Sequence, residues 1–371
     1  MHLRTGYTTG SCATAAAKAA AIGLFKGNIP DEAEINTPAG IKLKFKIHHK
    51  QSTRLYAACS VRKDAGDDPD VTHGCFVHAR VERNSMKTIE IDGGDGVGRV
   101  TKPGLQVSVG QAAINPTPRR MIEEEVRAVI GNEKGATVVI SVPNGRELGE
   151  KTFNPKLGII GGISIIGTTG IVRPMSEEAF KTSLLCGLDI AHGIGYDTVI
   201  LAPGSLGERT ILNLFDIPKD QIIQMSNFVG FMLDAAKERH FKKVILAGHP
   251  GKLAKLLNGD FHTHSSVSKP ANDILIDTII QSSSVSQSDN LPETLRKTPT
   301  VEGIVDTLKS YNIVSVMNYA AEQIEAKAVT FCNGKPPLTA LNIGVILFDM
   351  KGSIIGISGN ALTWLNTQRK K

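Results

Sequence analysis

The sequence contains no run of about twenty uncharged apolar residues, the length a helix needs to cross a bilayer. A membrane-spanning helix is therefore not expected. The first residues also lack a basic stretch followed by an apolar core and a small-residue cleavage site, so no secretory signal is expected. We expect a cytoplasmic protein without a membrane partner. Cysteine is sparse: there are five, at positions 12, 59, 75, 186 and 332, and no two form a C-x-x-C pair. That disfavours a disulfide framework and a zinc ribbon, and leaves small buried thiols as the expectation. Aromatic residues make up only 5% and are not interleaved with the basic residues. The stacking platforms of a single-strand nucleic-acid binder are thus missing, and no nucleic-acid partner is expected.

Two nucleotide signatures are also incomplete. AGHPGKLAK at 247–255 resembles a P-loop, but Gly248 and Gly251 stand too close, and Lys252 is followed by Leu253 instead of a hydroxyl. The glycines at 94–98 do not complete G-x-G-x-x-G. FHTHS at 261–265 offers His262 and His264 as a metal-chelating H-x-H without a third ligand nearby, so no resident metal site is expected.

What is present is an ordinary globular composition, 41% apolar and 21% charged, over 371 residues. The length suggests two domains. The formal charge is +6. Without aromatic interleaving, that balance points to a multiply anionic small molecule.

Residues 11–25 (SCATAAAKAAAIGLF) are nearly all strong helix formers, with Thr8, Thr9 and Ser11 as candidate caps. Alternation predicts strands at 34–50, 54–62, 75–83, 87–92 and 136–143, with a helix at 119–131. From about residue 170 the pattern changes. Helices are expected at 175–195, 218–241, 302–311 and 316–328, and strands at 197–204 and 242–248. A hairpin is expected at 343–357, and an exposed polar loop at 282–300. We expect a two-layer α+β domain over residues 1–170. A Rossmann-like, three-layer α/β domain with a mainly parallel sheet is expected over 171–371.

Several segments could carry chemistry. GYTTGSCATAAAKAA at 6–20 places hydroxyls and backbone N–H groups at a helix N-terminus, which attracts carboxylates or phosphates. AGDDPDVTHG at 65–74 gathers Asp67, Asp68, Asp70 and His73. A turn needs only one or two of these, so a base, a cation partner or a metal ligand is suggested. DGGDGVGRVTKPGL at 92–105 and KTFNPKLGIIGGISIIGTTGIVRPMS at 151–176 are glycine-loaded. Glycines of this density let a backbone approach a ligand, or another backbone, closely. Arg99, Lys102 and Arg173 are candidate carboxylate partners. His249 and Lys252 stand at the end of a predicted parallel strand, where ligands of open α/β sheets bind.

These segments, together with INPTPRRMI at 114–122, occur in an order that resembles the cobalt-precorrin-5B C(1)-methyltransferase family of anaerobic cobalamin biosynthesis. The similarity spans residues 3–256 and weakens beyond. The resemblance implies methyl transfer from S-adenosylmethionine to carbon 1 of a cobalt-containing tetrapyrrole, giving cobalt-precorrin-6A. Cobalt would enter only as part of the substrate. The first domain would be the tetrapyrrole-binding one. His73, Asp67 and His249 are the candidate bases. Gly161, Gly162, Gly167, Thr168 and Gly170 are candidates to cradle the donor. Thr8, Thr9, Ser11, Asp68, Arg99, Lys102, Arg119, Arg173 and Lys252 are candidates to hold the substrate. A non-catalytic carrier of anionic tetrapyrroles and a phosphoryl-transfer enzyme remain the alternatives, and a homo-oligomer stays open.

Overall fold

The computed structural model describes residues 3–282, 290–333 and 340–368. The chain separates into two compact units, Met1–Glu178 and Ala179–Lys371, each with its own apolar core, in a mixed α/β fold.

In the first unit a five-stranded sheet runs His48–Ser52, Tyr56–Arg62, Phe76–Asn84, Gly135–Ser141, Ile89–Gly93. Only the last pair is parallel. One face buries Ala57, Cys59, Val61, Val77, Ala79 and Val81 beneath the alanine-rich helix Thr9–Lys26. Thr8 caps that helix by accepting from Ser11 N at 3.1 Å, and Gly27 ends it at φ 104°. The small side chains allow close approach to the neighbouring helix Pro116–Ile130. A Cβ on Gly10 would lie 2.8 Å from Pro118 Cγ. Lys18 and the nearly buried Glu125 pair across the two helices at 2.7 Å. The stretch expected as one strand at 34–50 is instead a hairpin, Glu32–Asn36 with Lys42–Lys46, followed by the separate strand from His48. Pro38 and Gly40 make the turn between the first two.

In the second unit the strand order is Ile222–Gln224, Thr198–Ala202, Lys243–Gly248, Asn342–Phe348, Ile354–Ile357. The first four are parallel and the last is antiparallel, so the expected C-terminal hairpin joins this sheet. Alternate residues feed two cores. Val199, Leu201, Val244, Leu246 and Val345 face the helices Glu177–Ile194, Val229–Glu238 and Met317–Asn333. Ile200, Ile245, Ala247 and Ile346 face the helices Ser205–Leu214 and Gly359–Gln368.

Two expectations fail here. Residues 218–241 are not one helix: a 3-10 turn, the edge strand Ile222–Gln224 and the shorter helix Val229–Glu238 replace it. Ile222 and Ile223 satisfy an edge of the parallel sheet, and Ser226 at φ 52° turns the chain. The polar segment 282–300 contains the helix Leu291–Arg296, which buries Leu291 and Leu295. Residues 283–289 of that segment lie outside the described residues.

Candidate functional site

Four segments of the first unit converge at one end of its sheet. They are residues 4–8, the helix start at 9–11, the acidic loop 64–74 and the glycine-rich stretch 164–175. Gly6–Tyr7 pairs antiparallel with Ile171–Val172, and Tyr7 N donates to Asp64 O at 2.7 Å. Only glycine fits at position 6, where a Cβ would lie 2.1 Å from the Ala65 carbonyl carbon.

The density of carboxylates in the loop has a structural cause. Arg4 donates to both oxygens of Asp64, at 2.6 and 2.9 Å. Asp67 Oδ2 accepts from Arg4 N at 2.6 Å, and Asp68 Oδ2 accepts from Met175 N at 3.0 Å. Asp70 takes the buried ammonium of Lys63 at 2.5 Å and also accepts from Thr72 N and Oγ1. The carboxylates thus tie the loop to three places, Asp64 and Asp67 to Arg4, Asp68 to Met175 and Asp70 to Lys63. Burial alone would push the Asp70 carboxyl up, but Lys63 and Thr72 together hold it below the usual range.

Asp64 is held at about 2, first by the Arg4 guanidinium and then by Gly66 N–H. A depressed native value adds stability above the unfolded value of about 3.9, and that stability is lost as pH falls through the native one. The Asp64 carboxyl carbon is therefore expected to titrate near 2 by NMR. In Arg4→Ala its midpoint should rise toward about 3.9. An unmoved midpoint would show that Arg4 is not the cause.

The candidate bases differ in what they can accept. His73 Nδ1 accepts from Ala65 N at 3.1 Å, so the neutral ring carries its proton on Nε2 and is a donor on its exposed side. His249 Nδ1 accepts from Gly251 N at 3.0 Å and caps the turn Pro250–Leu253, while Nε2 meets Glu302 Oε2 at 2.9 Å. Both its ring nitrogens are engaged. Asp67 is exposed and, among the described residues, has one oxygen without a hydrogen bond.

The other candidates separate in the same way. Thr8, Thr9 and Ser11 are buried, and their hydroxyls are spent inside the chain. Ser11 Oγ donates to Gly170 O at 2.7 Å, and Thr9 Oγ1 accepts from Ile166 N at 2.9 Å. The Arg119 guanidinium clamps the backbone carbonyls of Ile114, Ile91 and Ala112. Arg99 pairs with Asp92 at 2.9 Å. Lys102 lies over Gly158 and donates to Lys156 O at 3.2 Å. Lys252, in the second unit, donates to Asn227 Oδ1 at 2.6 Å. Arg173 and Thr168 are exposed.

The glycines of the two loops mostly serve each other. A Cβ on Gly162 would lie 2.2 Å from Gly96 O, one on Gly96 would lie 1.8 Å from Val142 O, and one on Gly145 would lie 2.0 Å from Gly96 O. Gly96–Val97 and Gly162–Ile163 pair as parallel strands at this crossing. The open sides of Gly167 and Gly170 are filled by Thr8, and by Thr37 and Ser11. Of the glycines expected to cradle a donor, only Gly161 faces open space. At the remaining three, protein occupies the direction a Cβ would take.

A second candidate place lies in the other unit, at a reversal of strand order. In the second unit the chain goes from Thr198–Ala202 first to the strand on one side and then to Lys243–Gly248 on the other. Such a reversal opens a crevice at the carboxyl ends of the two strands. Gly204 lies there in extended conformation with nothing within 4 Å of a Cβ position, and it precedes the helix Ser205–Leu214, which has no side-chain cap. The strand expected at 197–204 ends in Pro203 and Gly204, and that ending is the signal for this feature.

The five cysteines form no disulfide, and burial pushes the thiols of Cys12, Cys59, Cys75 and Cys186 up, Cys59 to about 12 and Cys75 to about 11. Among the described residues no group of three or more His, Cys, Asp and Glu gathers that could hold a metal. His262 stacks on Phe228 at 5.0 Å instead.

Comparison with known families settles what the chain is related to. A family model described as CbiD matches residues 1–174, and one described as the CbiD C-terminal domain matches residues 262–359. The chain belongs to the CbiD family. A relative from Alkaliphilus metalliredigens is 42% identical over 95% of this chain and 92% of its own length. One from Desulfitobacterium hafniense is 44% identical over 95% of this chain and 89% of its own length. Both are named cobalt-precorrin-5B C(1)-methyltransferase. A crystal structure of cobalamin biosynthesis protein from Archaeoglobus fulgidus matches 67% of this chain and 78% of that one, at 30% identity and a TM-score of 0.37. No helix among the described residues is long and apolar enough to cross a membrane.

Proposed function

We propose that this CbiD-family chain methylates carbon 1 of cobalt-precorrin-5B with S-adenosylmethionine, giving cobalt-precorrin-6A. The observation that carries the reading is the 42% identity over 95% of the chain to a relative named for that reaction. The chemistry of the available residues is compatible with it. Methyl transfer is a direct displacement that needs alignment more than a covalent enzyme intermediate. The raised thiols and the engaged ring of His249 offer no ready nucleophile.

The first unit is our candidate for the tetrapyrrole. His73, donating from Nε2, and the exposed Arg173 suit the substrate's carboxylates. Asp67 suits the proton released as the ring conjugation shifts. The second unit, which we read as Rossmann-like, is our candidate for the donor, because the space beside Gly204 is open while that beside Gly162, Gly167 and Gly170 is filled. When bound, the donor would supply an electrophilic methyl group. The helix start at Ser205, which has no side-chain cap among the described residues, suits its carboxylate.

Calorimetric titration with S-adenosylhomocysteine tests the reading, with ATP–Mg²⁺ as control. Saturable binding of the first alone, followed by anaerobic turnover of cobalt-precorrin-5B, is the expected result. Binding of ATP–Mg²⁺ alone would favour phosphoryl transfer. Binding of tetrapyrrole without turnover would favour a carrier. A general base contributes about 10²–10⁴-fold. Asp67→Asn is therefore expected to lower kcat at least about 100-fold with the thermal midpoint unchanged. Full turnover in this variant would remove Asp67 from the chemistry.

A further inference from the structure

The face of the first unit's sheet that turns away from its helices carries an imidazole cluster that none of the roles above uses. Ala57, Cys59 and Val61, and Val77, Ala79 and Val81, point into the core, so Ser60, Arg62, Phe76 and His78 share the opposite face. The registers Ser60↔His78 and Arg62↔Phe76 set these side by side, and His48↔Ser60 extends the row. A bulge between His48 and Gln51 then brings His49 over the same face. Its ring stacks on His78 at 5.5 Å with planes 10° apart, and meets Phe76 edge-on at 4.5 Å. Its Nδ1 lies 2.7 Å from the buried Ser60 Oγ. His49 holds this position at φ 47°, a region that non-glycine residues seldom occupy. Three contacts and a strained backbone therefore orient a side chain that is itself exposed.

That arrangement is the one metal-bound imidazoles show, with one ring nitrogen tied to a hydrogen-bond partner and the other left with its lone pair. With Nδ1–H donating to Ser60 Oγ, the free donor is Nε2. No group of three or more protein ligands gathers among the described residues, so this is not a cage for a resident ion. A single imidazole suits a metal that already has its equatorial ligands. Arg62, exposed beside Phe76 and without an ion-pair partner among the described residues, supplies a cation for a peripheral carboxylate.

We propose that His49 Nε2 is the axial ligand to the cobalt of the tetrapyrrole substrate, with Phe76 and His78 bracing the imidazole and Arg62 holding a carboxylate at the ring edge. The proposal rests on the tetrapyrrole reading above and adds the docking face and the coordinating atom. Its consequence is that the macrocycle is oriented by its metal before the methyl donor is aligned.

The probe is cob(II)inamide, a corrinoid without its own axial base, added anaerobically to the full-length protein and followed by electron paramagnetic resonance. Coordination by one imidazole splits the cobalt hyperfine lines into nitrogen triplets. Triplets are expected in the wild type and in His48→Ala. They should be absent in His49→Ala and return when free imidazole is added. Ser60→Ala is expected to weaken probe binding about 10-fold, the effect of losing a partner behind a metal-bound imidazole. A wild-type spectrum without triplets, whether or not the probe is retained, would overturn the proposal, as would triplets that survive in His49→Ala. Turnover of cobalt-precorrin-5B by a wild type that shows no triplets would remove the axial ligand and leave the methyltransferase reading standing. Triplets without any turnover would do the reverse.

Discussion

Gly96→Ala is expected to unfold the first unit or leave it only marginally stable. The new Cβ would sit 1.8 Å from Val142 O and 3.0 Å from Gly145 Cα, and the backbone there has φ 72°. Both neighbours are main chain, so no side chain can rotate away. Overpacking of this kind costs about 1–3 kcal/mol or more. Holding a non-glycine residue in the left-handed region adds about 1–2 kcal/mol. Together these come to about 2–5 kcal/mol, which at its upper end equals the low end of a typical domain's stability, about 5–15 kcal/mol. Gly161→Ala is the control. Its φ is 85°, but nothing lies within 4 Å of the Cβ position. It should lose only the conformational part, about 1–2 kcal/mol. Urea unfolding followed by circular dichroism measures both. Equal midpoints for the two variants would mean that the glycine crossing is not tightly packed in solution.

Asp70→Ala carries the second large effect. Lys63 is only 2% exposed, and the Asp70 carboxylate lies 2.5 Å from its ammonium. Removing the carboxylate strands a buried charge, which costs about 3–5 kcal/mol. Replacing both partners by apolar residues of similar size, as in Lys63→Met with Asp70→Leu, is often near neutral. The double variant should therefore be more stable than Asp70→Ala alone. Amide exchange over residues 64–74 should rise sharply in the single variant, because Asp70 also orders Thr72. A double variant no more stable than the single one would show that the pair is not the anchor.

Much of the architecture was legible along the chain. Alternation places Ala57, Cys59 and Val61, and separately Val77, Ala79 and Val81, on one face, and these residues do share a core. The alanine-rich segment announces a helix that must lie close to other backbone, and Gly10 against Pro118 shows that closeness. Helix period alone misread residues 218–241, because an apolar pair such as Ile222 and Ile223 suits a strand edge and a helix face equally well. Only the neighbouring strand decides between them.

The candidate site was legible as segments and not as roles. Composition, glycine density and the clustered aspartates depend only on residue type, and they mark residues 6–20, 64–74 and 151–176 without a partner in view. Whether a hydroxyl, a guanidinium or a ring nitrogen is available depends on what lies within hydrogen-bond distance. That is set by contacts between residues far apart in the chain. Ser11 is spent on Gly170 and Arg119 on Ile91. The His49 cluster was not visible at all, since a bulge and two strand registers assemble it from residues 48–49, 60 and 76–78. By itself the sequence determined the secondary-structure periods, the charge balance and the family, because each is a property of residue order. The tertiary structure alone decided which polar groups remain free to act, because satisfying buried donors and acceptors is a matter of proximity in space.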